Sequence, residues 1–231
     1  MKIALAQTYS VAGDIDKNIE QHISLILAAA QQGVEVIIFP ELSITGYEPG
    51  LAAKLGTTTK DPKFQVFQEL SDTHKLIIGI GLPLKQSDGI RIGLLLFHPN
   101  QDVQVYAKNY LHPDELPFFT SGNNTSVLIN GTNIGLAICY ELSVAEHIKE
   151  IKEAQAEVFI ASVAKHEKGI QQSYKILSNI AKDYCIPVIL VNCVGPADNF
   201  IAAGQSAIWN KNGLLVEKLS NQEKGLLILE I

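Results

Sequence analysis

One feature constrains this chain more than any other: apolar runs of strand length alternate with segments of helical period, from residue 3 to residue 230. Ile3–Gln7 and Val34–Phe39 read as strands. Between them, Ile15–Gln32 carries Ile19, Ile23, Ile26 and Leu27 on one helical stripe, with Asp14 or Asp16 to cap it and Gly33 to stop it. Phe64–Lys75 predicts a helix, Leu76–Leu82 a strand, and Ile90–His98 with Val103–Lys108 a strand pair around an Asn100 turn. Val127–Ile129 and Ile134–Cys139 flank Asn130-Gly131, a hairpin signal because these residues tolerate the positive φ that tight turns need. Val144–Ala154 and Gln171–Tyr184 predict helices; Val158–Val163 and Pro187–Asn192 predict strands. Three short strands follow: Gln205–Trp209, Leu214–Leu219 and Gly225–Glu230, the first two joined by Lys211-Asn212-Gly213. Asn109–Asn124, rich in Pro, Asp, Asn and Gly, reads as irregular. The pattern predicts an α/β fold. Several strands are apolar on both faces, so helices should cover the sheets, and the hairpins make those sheets mixed.

No repeat, low-complexity tract or linker divides the sequence, so residues 1–231 are expected to form a single domain. With 47% hydrophobic and 18% charged residues the chain has a globular composition. A net charge of −6 without Lys/Arg clusters speaks against nucleic-acid or membrane-surface partners. No apolar stretch approaches the roughly 20 residues that would span a bilayer. Met1–Ala6 reads as a strand rather than a signal peptide, so a cytoplasmic protein is expected. Three cysteines, Cys139, Cys185 and Cys193, without a Cys-x-x-Cys pair fit reduced thiols better than a disulfide framework or structural zinc. The six histidines show no ligand-like spacing, and neither metal nor cofactor is expected.

Three reactive side chains each end an apolar run: Glu41 after Val36-Ile37-Ile38-Phe39-Pro40, Lys108 after Val103-Gln104-Val105-Tyr106-Ala107, and Cys139 after Ile134-Gly135-Leu136-Ala137-Ile138. In open α/β sheets the strand C-terminal ends are where ligand crevices form. Alone, each has an ordinary reading: a solvated Glu or Lys, an inert buried Cys, which is also the reading of Cys185 and Cys193. Together they make a chemical set. A thiol is mostly protonated at neutral pH and must be activated. A carboxylate whose pKa is raised by burial accepts its proton, and an ammonium stabilises thiolate and oxyanion. Glu, Lys and Cys thus supply acyl transfer without histidine or metal.

At these residues the chain resembles the nitrilase superfamily of carbon–nitrogen hydrolases, over essentially its whole length. The resemblance lies in Phe39-Pro40-Glu41-Leu42-Ser43-Ile44-Thr45-Gly46-Tyr47, in Tyr106-Ala107-Lys108-Asn109-Tyr110-Leu111, and in Gly135-Leu136-Ala137-Ile138-Cys139-Tyr140-Glu141. Softer matches are Glu115 ahead of Phe118-Phe119-Thr120-Ser121-Gly122, and Gly204-Gln205-Ser206 before Trp209-Asn210. The resemblance implies a four-layer α-β-β-α sandwich and pairing into a homodimer or larger homo-oligomer. It makes Glu41 the general base, Cys139 the nucleophile and Lys108 the oxyanion stabiliser, with Glu115 positioning Lys108 or substrate and the Tyr140 N–H as second oxyanion donor. The implied activity is hydrolysis of a small amide through a cysteine thioester, releasing ammonia or an amine.

The chain also departs from the family pattern. Tyr110-Leu111 stands where many members have His-Leu, and Glu141-Leu142-Ser143-Val144-Ala145 where many have Asp-Leu-Arg-Phe-Pro, which loosens any carry-over of substrate. The absence of a long tail after the last strand favours amides over nitriles. Tyr47, Tyr140, Val163 and Ala164 adjoin strand ends and are candidate substrate-binding residues, as are Glu48 and Lys165. Lys165 or His166 is suited to a substrate carboxylate. Competing readings are nitrile hydrolysis or N-acyl transfer on the same scaffold, a Cys–His enzyme using His112 or His147, and a non-catalytic binding or regulatory module.

Overall fold

The computed structural model describes residues 1–124 and 126–231. In chain order its strands are β1 (Lys2–Gln7), β2 (Val36–Ile38), β3 (Ile77–Gln86), β4 (Gly89–Phe97), β5 (Gln104–Ala107), β6 (Ser126–Ile129), β7 (Thr132–Ile138), β8 (Val158–Val163), β9 (Val188–Asn192), β10 (Val194–Ala197), β11 (Phe200–Ala203), β12 (Ala207–Trp209), β13 (Leu215–Lys218) and β14 (Gly225–Glu230). Its α-helices are α1 (Ile15–Gln31), α2 (Ala52–Leu55), α3 (Gln65–His74), α4 (Ala145–Glu153) and α5 (Glu167–Tyr184). One six-stranded sheet runs β14-β1-β2-β3-β4-β5 and a second β13-β12-β9-β8-β7-β6. Both are mixed. β1, β2 and β3 are parallel, as are β7, β8 and β9, while the other pairs in the two sheets are antiparallel, some of them hairpins and others, β1–β14 and β9–β12, not.

Period-2 alternation builds the layers. Ile3, Leu5, Val36 and Ile38 of the first sheet meet Ile134, Leu136, Ile138, Ile160, Ile189 and Val191 of the second in one core between the sheets. The intervening residues point outward. Ala4, Ala6, Ile37 and Phe39 pack with Ile19, Ile26, Phe64 and Phe67 under α1 and α3. Phe159, Ala161, Val163, Val188 and Leu190 pack with Ile151, Ile170, Leu177 and Ile180 under α4 and α5. The order is therefore helix, sheet, sheet, helix, the expected four-layer sandwich.

Local chemistry explains the element ends. The Asp14 side chain accepts from Lys17 N and caps α1. Asn130 and Gly131 both take positive φ at the β6–β7 turn. α5 starts at Glu167, earlier than the expected Gln171, because the His166 ring accepts from Gly169 N and Ile170 opens the buried stripe. The β10–β11 hairpin falls where Gly195 and Pro196 gave no strand signal.

Polar ties lock the sheets at their C-terminal ends. Ser162 Oγ donates to the Phe39 carbonyl at 3.0 Å, and Gln7 Oε1 accepts from Ser206 N at 3.0 Å and Ser206 Oγ at 2.9 Å. No helix among the described residues is long and apolar enough to cross a membrane.

Candidate active site

Glu41 lies three residues past β2 in a tight turn. Leu42 there has φ 51°, Ser43 Oγ is 2.9 Å from His22 Nε2, and Ile44 N donates to the Gly81 carbonyl at 3.0 Å. Gly81 is required at this approach: a Cβ on it would stand 2.4 Å from the Pro40 oxygen and 2.6 Å from Leu42 N. His22, buried under the turn, has its pKa lowered to about 4 by desolvation, so it stays neutral. Lys108 directly follows β5, its N–H bonded to the Ile92 carbonyl at 2.9 Å and its carbonyl accepting from Gly122 N at 2.7 Å. Cys139 directly follows β7, at the start of a 3-10 turn over Cys139–Ser143. Its φ of 50° is a left-handed conformation that costs a non-glycine residue about 1–3 kcal/mol and must be held by its surroundings.

These three residues, drawn from both sheets, converge with Glu115 of the irregular segment. Lys108 Nζ donates to Glu41 Oε1 at 2.8 Å and to Glu115 Oε1 at 2.7 Å. All three are buried, at 0%, 2% and 1% exposure for Lys108, Glu41 and Glu115. The two carboxylates are solvated unequally. Glu115 also accepts from the Tyr47 hydroxyl at 3.0 Å and from His112 N at 2.8 Å. Glu41 Oε2 is buried with no hydrogen-bond partner. One ammonium cannot neutralise two carboxylates, and the proton belongs where the charge is least solvated. Burial accordingly raises Glu41 to about 7, with Lys108 opposing and Glu115 reinforcing the shift. Desolvation works against the charge on Lys108, but Glu41, Cys139 and Glu115 outweigh it and hold the ammonium above its ordinary range.

The Cys139 thiol, 3.7 Å from the Ala164 carbonyl, is pushed up to about 11 by burial and by Glu41, against the charges of Lys165 and Lys108. The resting state is thus a neutral thiol beside Glu41. An ammonium has three donors and Lys108 spends two, leaving the third. The first N–H groups of a helical turn have no partner within it, and here they belong to the turn that Cys139 and Tyr140 open.

Glu141, to which the sequence alone gives no role, ties Cys139 to Lys108. Its Oε2 accepts from Ile138 N at 2.7 Å and from the Tyr106 hydroxyl at 2.8 Å; its Oε1 accepts from Asn109 N at 2.6 Å and Tyr110 N at 3.3 Å. One buried carboxylate so holds residues on both sides of Lys108 and the residue before Cys139.

A cavity of about 660 Å³ opens over Cys139. Tyr47, Tyr140, Ala164, Lys165 and Glu115 line it, together with Phe200 of the overlooked hairpin. Val163 does not. It is wholly buried in the sheet–helix layer, since odd-numbered residues of β8 face α5 and even-numbered ones the other sheet. Glu48 stands behind the cavity wall, accepting from Asp198 N at 3.2 Å. His112 lines the cavity edge-on to Tyr140, with ring centroids 5.2 Å apart. His147 is buried elsewhere, its Nε2 2.8 Å from the Leu136 carbonyl. Among the described residues no group of three or more His, Cys, Asp or Glu is placed to hold a metal ion.

A carbon–nitrogen hydrolase family model matches residues 2–231, and the chain belongs to that family. Its relatives span several branches. A glutamine-dependent NAD(+) synthetase of Acinetobacter baylyi is 28% identical over 92% of this chain, which spans 40% of that protein's length. An (R)-stereoselective amidase of Pseudomonas sp. is 24% identical over 90% of this chain and 77% of its own. The amidase of Nesterenkonia sp. AN1, solved in complex with butyramide, superposes with a TM-score of 0.87 at 21% identity over 100% of this chain and 90% of its own, a likeness of fold.

Proposed function

We propose that this chain hydrolyses the carbon–nitrogen bond of a small non-peptide amide through a thioester on Cys139. The observation that carries the reading is the buried Glu41–Lys108–Glu115 chain beside a cavity-lining thiol. In the first step Cys139 Sγ attacks the amide carbonyl carbon while Glu41 takes the thiol proton. Because the thiol lies far above Glu41, attack and proton transfer are coupled rather than preceded by a standing thiolate. The third Lys108 donor and the Tyr140 N–H receive the oxyanion. The carbon–nitrogen bond then breaks, Glu41 gives its proton to the leaving nitrogen, and a thioester remains. Water attacks that thioester, Glu41 takes its proton, and the acid leaves as the proton returns to sulfur. Glu115, held by Tyr47 and His112 N, fixes the Lys108 ammonium. Tyr47, Tyr140 and Ala164 border the substrate.

Ammonia release from a panel of small amides, carbamoyl amines and nitriles tests the reading, with Cys139→Ala as control. Turnover by Cys139→Ala would refute it. A second reading rests on the NAD(+) synthetase relatives, of which this chain spans 40%: glutamine is the amide, and the ammonia released from it serves a synthetase reaction. The same reading takes residues 1–231 as one domain, because a single core cluster draws on both sheets, and it includes pairing of two copies through a helical face.

A further inference from the structure

The cavity volume of about 660 Å³ lies within the roughly 300–1,000 Å³ of small-molecule sites, which leaves room for more of a substrate than its amide. Two lysines reach this site, and they are spent differently. Lys108 is buried and paired with two carboxylates. Lys165 lines the cavity half-buried, and among the described residues its Nζ makes neither a hydrogen bond nor an ion pair. Its backbone is pinned on both sides: Lys165 N donates to Asn192 Oδ1 at 2.9 Å, and its carbonyl accepts from Asn192 Nδ2 at 3.1 Å and from Ala203 N at 2.9 Å. The residue before it, Ala164, offers its carbonyl to Cys139 Sγ. An unpaired cation is therefore anchored one residue from the contact with the reactive sulfur, and its charge is felt there.

The acidic neighbours do not neutralise it. Glu115 is committed to Lys108, Tyr47 and the His112 N–H. Asp114 is exposed and 3.5 Å from the His112 ring, and Asp198 is exposed in the β10–β11 turn. A half-buried ammonium with a fixed backbone and no protein partner is a ready donor to an anion that enters with the substrate.

We propose that the preferred substrate is an amide carrying a carboxylate at its other end, an ω-amide of a dicarboxylic acid, and that Lys165 binds this carboxylate. This rests on the amidase reading above and narrows it. Reaction at Cys139 is favoured for any small anionic molecule over its neutral counterpart, because the cation lines the same cavity as the sulfur.

Two measurements on the purified chain test this. The first compares kcat and KM for glutaramate and pentanamide, which differ in a terminal carboxylate against a methyl group. Glutaramate is expected to lead by about ten- to a hundredfold in kcat/KM, the worth of one charge-assisted hydrogen bond, mainly through KM. Lys165→Met should cost glutaramate at least ten times more than it costs pentanamide. Equal losses, or a wild-type preference for pentanamide, overturn the proposal. The second measurement needs no turnover: the rate of alkylation of Cys139, read by mass spectrometry, by anionic iodoacetate relative to neutral iodoacetamide. Lys165→Met should lower that ratio several-fold, and an unchanged ratio overturns the proposal even if amides are hydrolysed. A lowered ratio with no amide cleaved retains the anion site and removes the amidase reading.

Discussion

Replacing Glu141 by Gln keeps the side-chain volume but converts one acceptor oxygen into a donor. Four groups donate to it: the Ile138, Asn109 and Tyr110 N–H groups, which can only donate, and the Tyr106 hydroxyl, which can also accept. With the NH2 in place of Oε2, the Tyr106 hydroxyl accepts from it and donates to the Leu136 carbonyl at 3.2 Å, so one hydrogen bond is lost and Ile138 N is left facing a donor. Bonds to a charged acceptor are worth about 1.5–3 kcal/mol each. Removing a buried charge returns part of this, so the net loss should be about 1–3 kcal/mol. Stability of a single domain is about 5–15 kcal/mol, so the loss is large but leaves a folded protein to measure. Trp209 is the only tryptophan and is buried, so its fluorescence reports unfolding in urea. The midpoint should fall with an unchanged slope. In the folded variant, kcat should drop by more than KM changes, because Cys139 and Lys108 lose the carboxylate that spaces them. A midpoint shift worth under about 1 kcal/mol with unaltered kcat would refute the argument.

The remaining predictions follow from the same geometry. Glu41 must be ionised to act as base, so kcat/KM should fall about tenfold per pH unit below its pKa of about 7; a profile flat from pH 5 to 8 excludes Glu41 as the base. Because burial raises that pKa from 4.5, the folded state binds the proton more tightly than the unfolded state. The stability from this group is full below pH 4.5 and is lost as pH rises through about 7. Glu41→Gln should flatten that slope in urea titrations and gain on the wild type at pH 8, while turning over no amide. Tyr47→Phe removes one donor from Glu115 but leaves Lys108 N–H and His112 N, so a loss of about tenfold in kcat is expected, far milder than for Lys108→Met. Light scattering should return about twice the 25.2 kDa chain mass if two copies pair, and a monomer at micromolar concentration would discard the pairing.

Much of this protein was already determined by its sequence. Apolar runs on both strand faces already implied sheets covered by helices, but which face of β8 meets the helices, and so turns Val163 away from the cavity, was not in the run itself. Asn130-Gly131, Asp14 and the apolar runs ending at Glu41, Lys108 and Cys139 were legible because turns, caps and strand ends obey local rules. Tertiary structure alone decided the rest. Glu41 and Lys108 leave one sheet and Cys139 the other, and only the stacking of the sheets brings them to one place. Which glutamate holds the proton depends on the bare Oε2 of Glu41 and the three donors on Glu115, a difference in solvation that no spacing encodes. The bonds to Glu141 from Tyr106, Asn109 and Tyr110 and the unpaired ammonium of Lys165 have the same origin. Local sequence sets backbone geometry, whereas the dielectric and the partners around a charge come from residues far away along the chain.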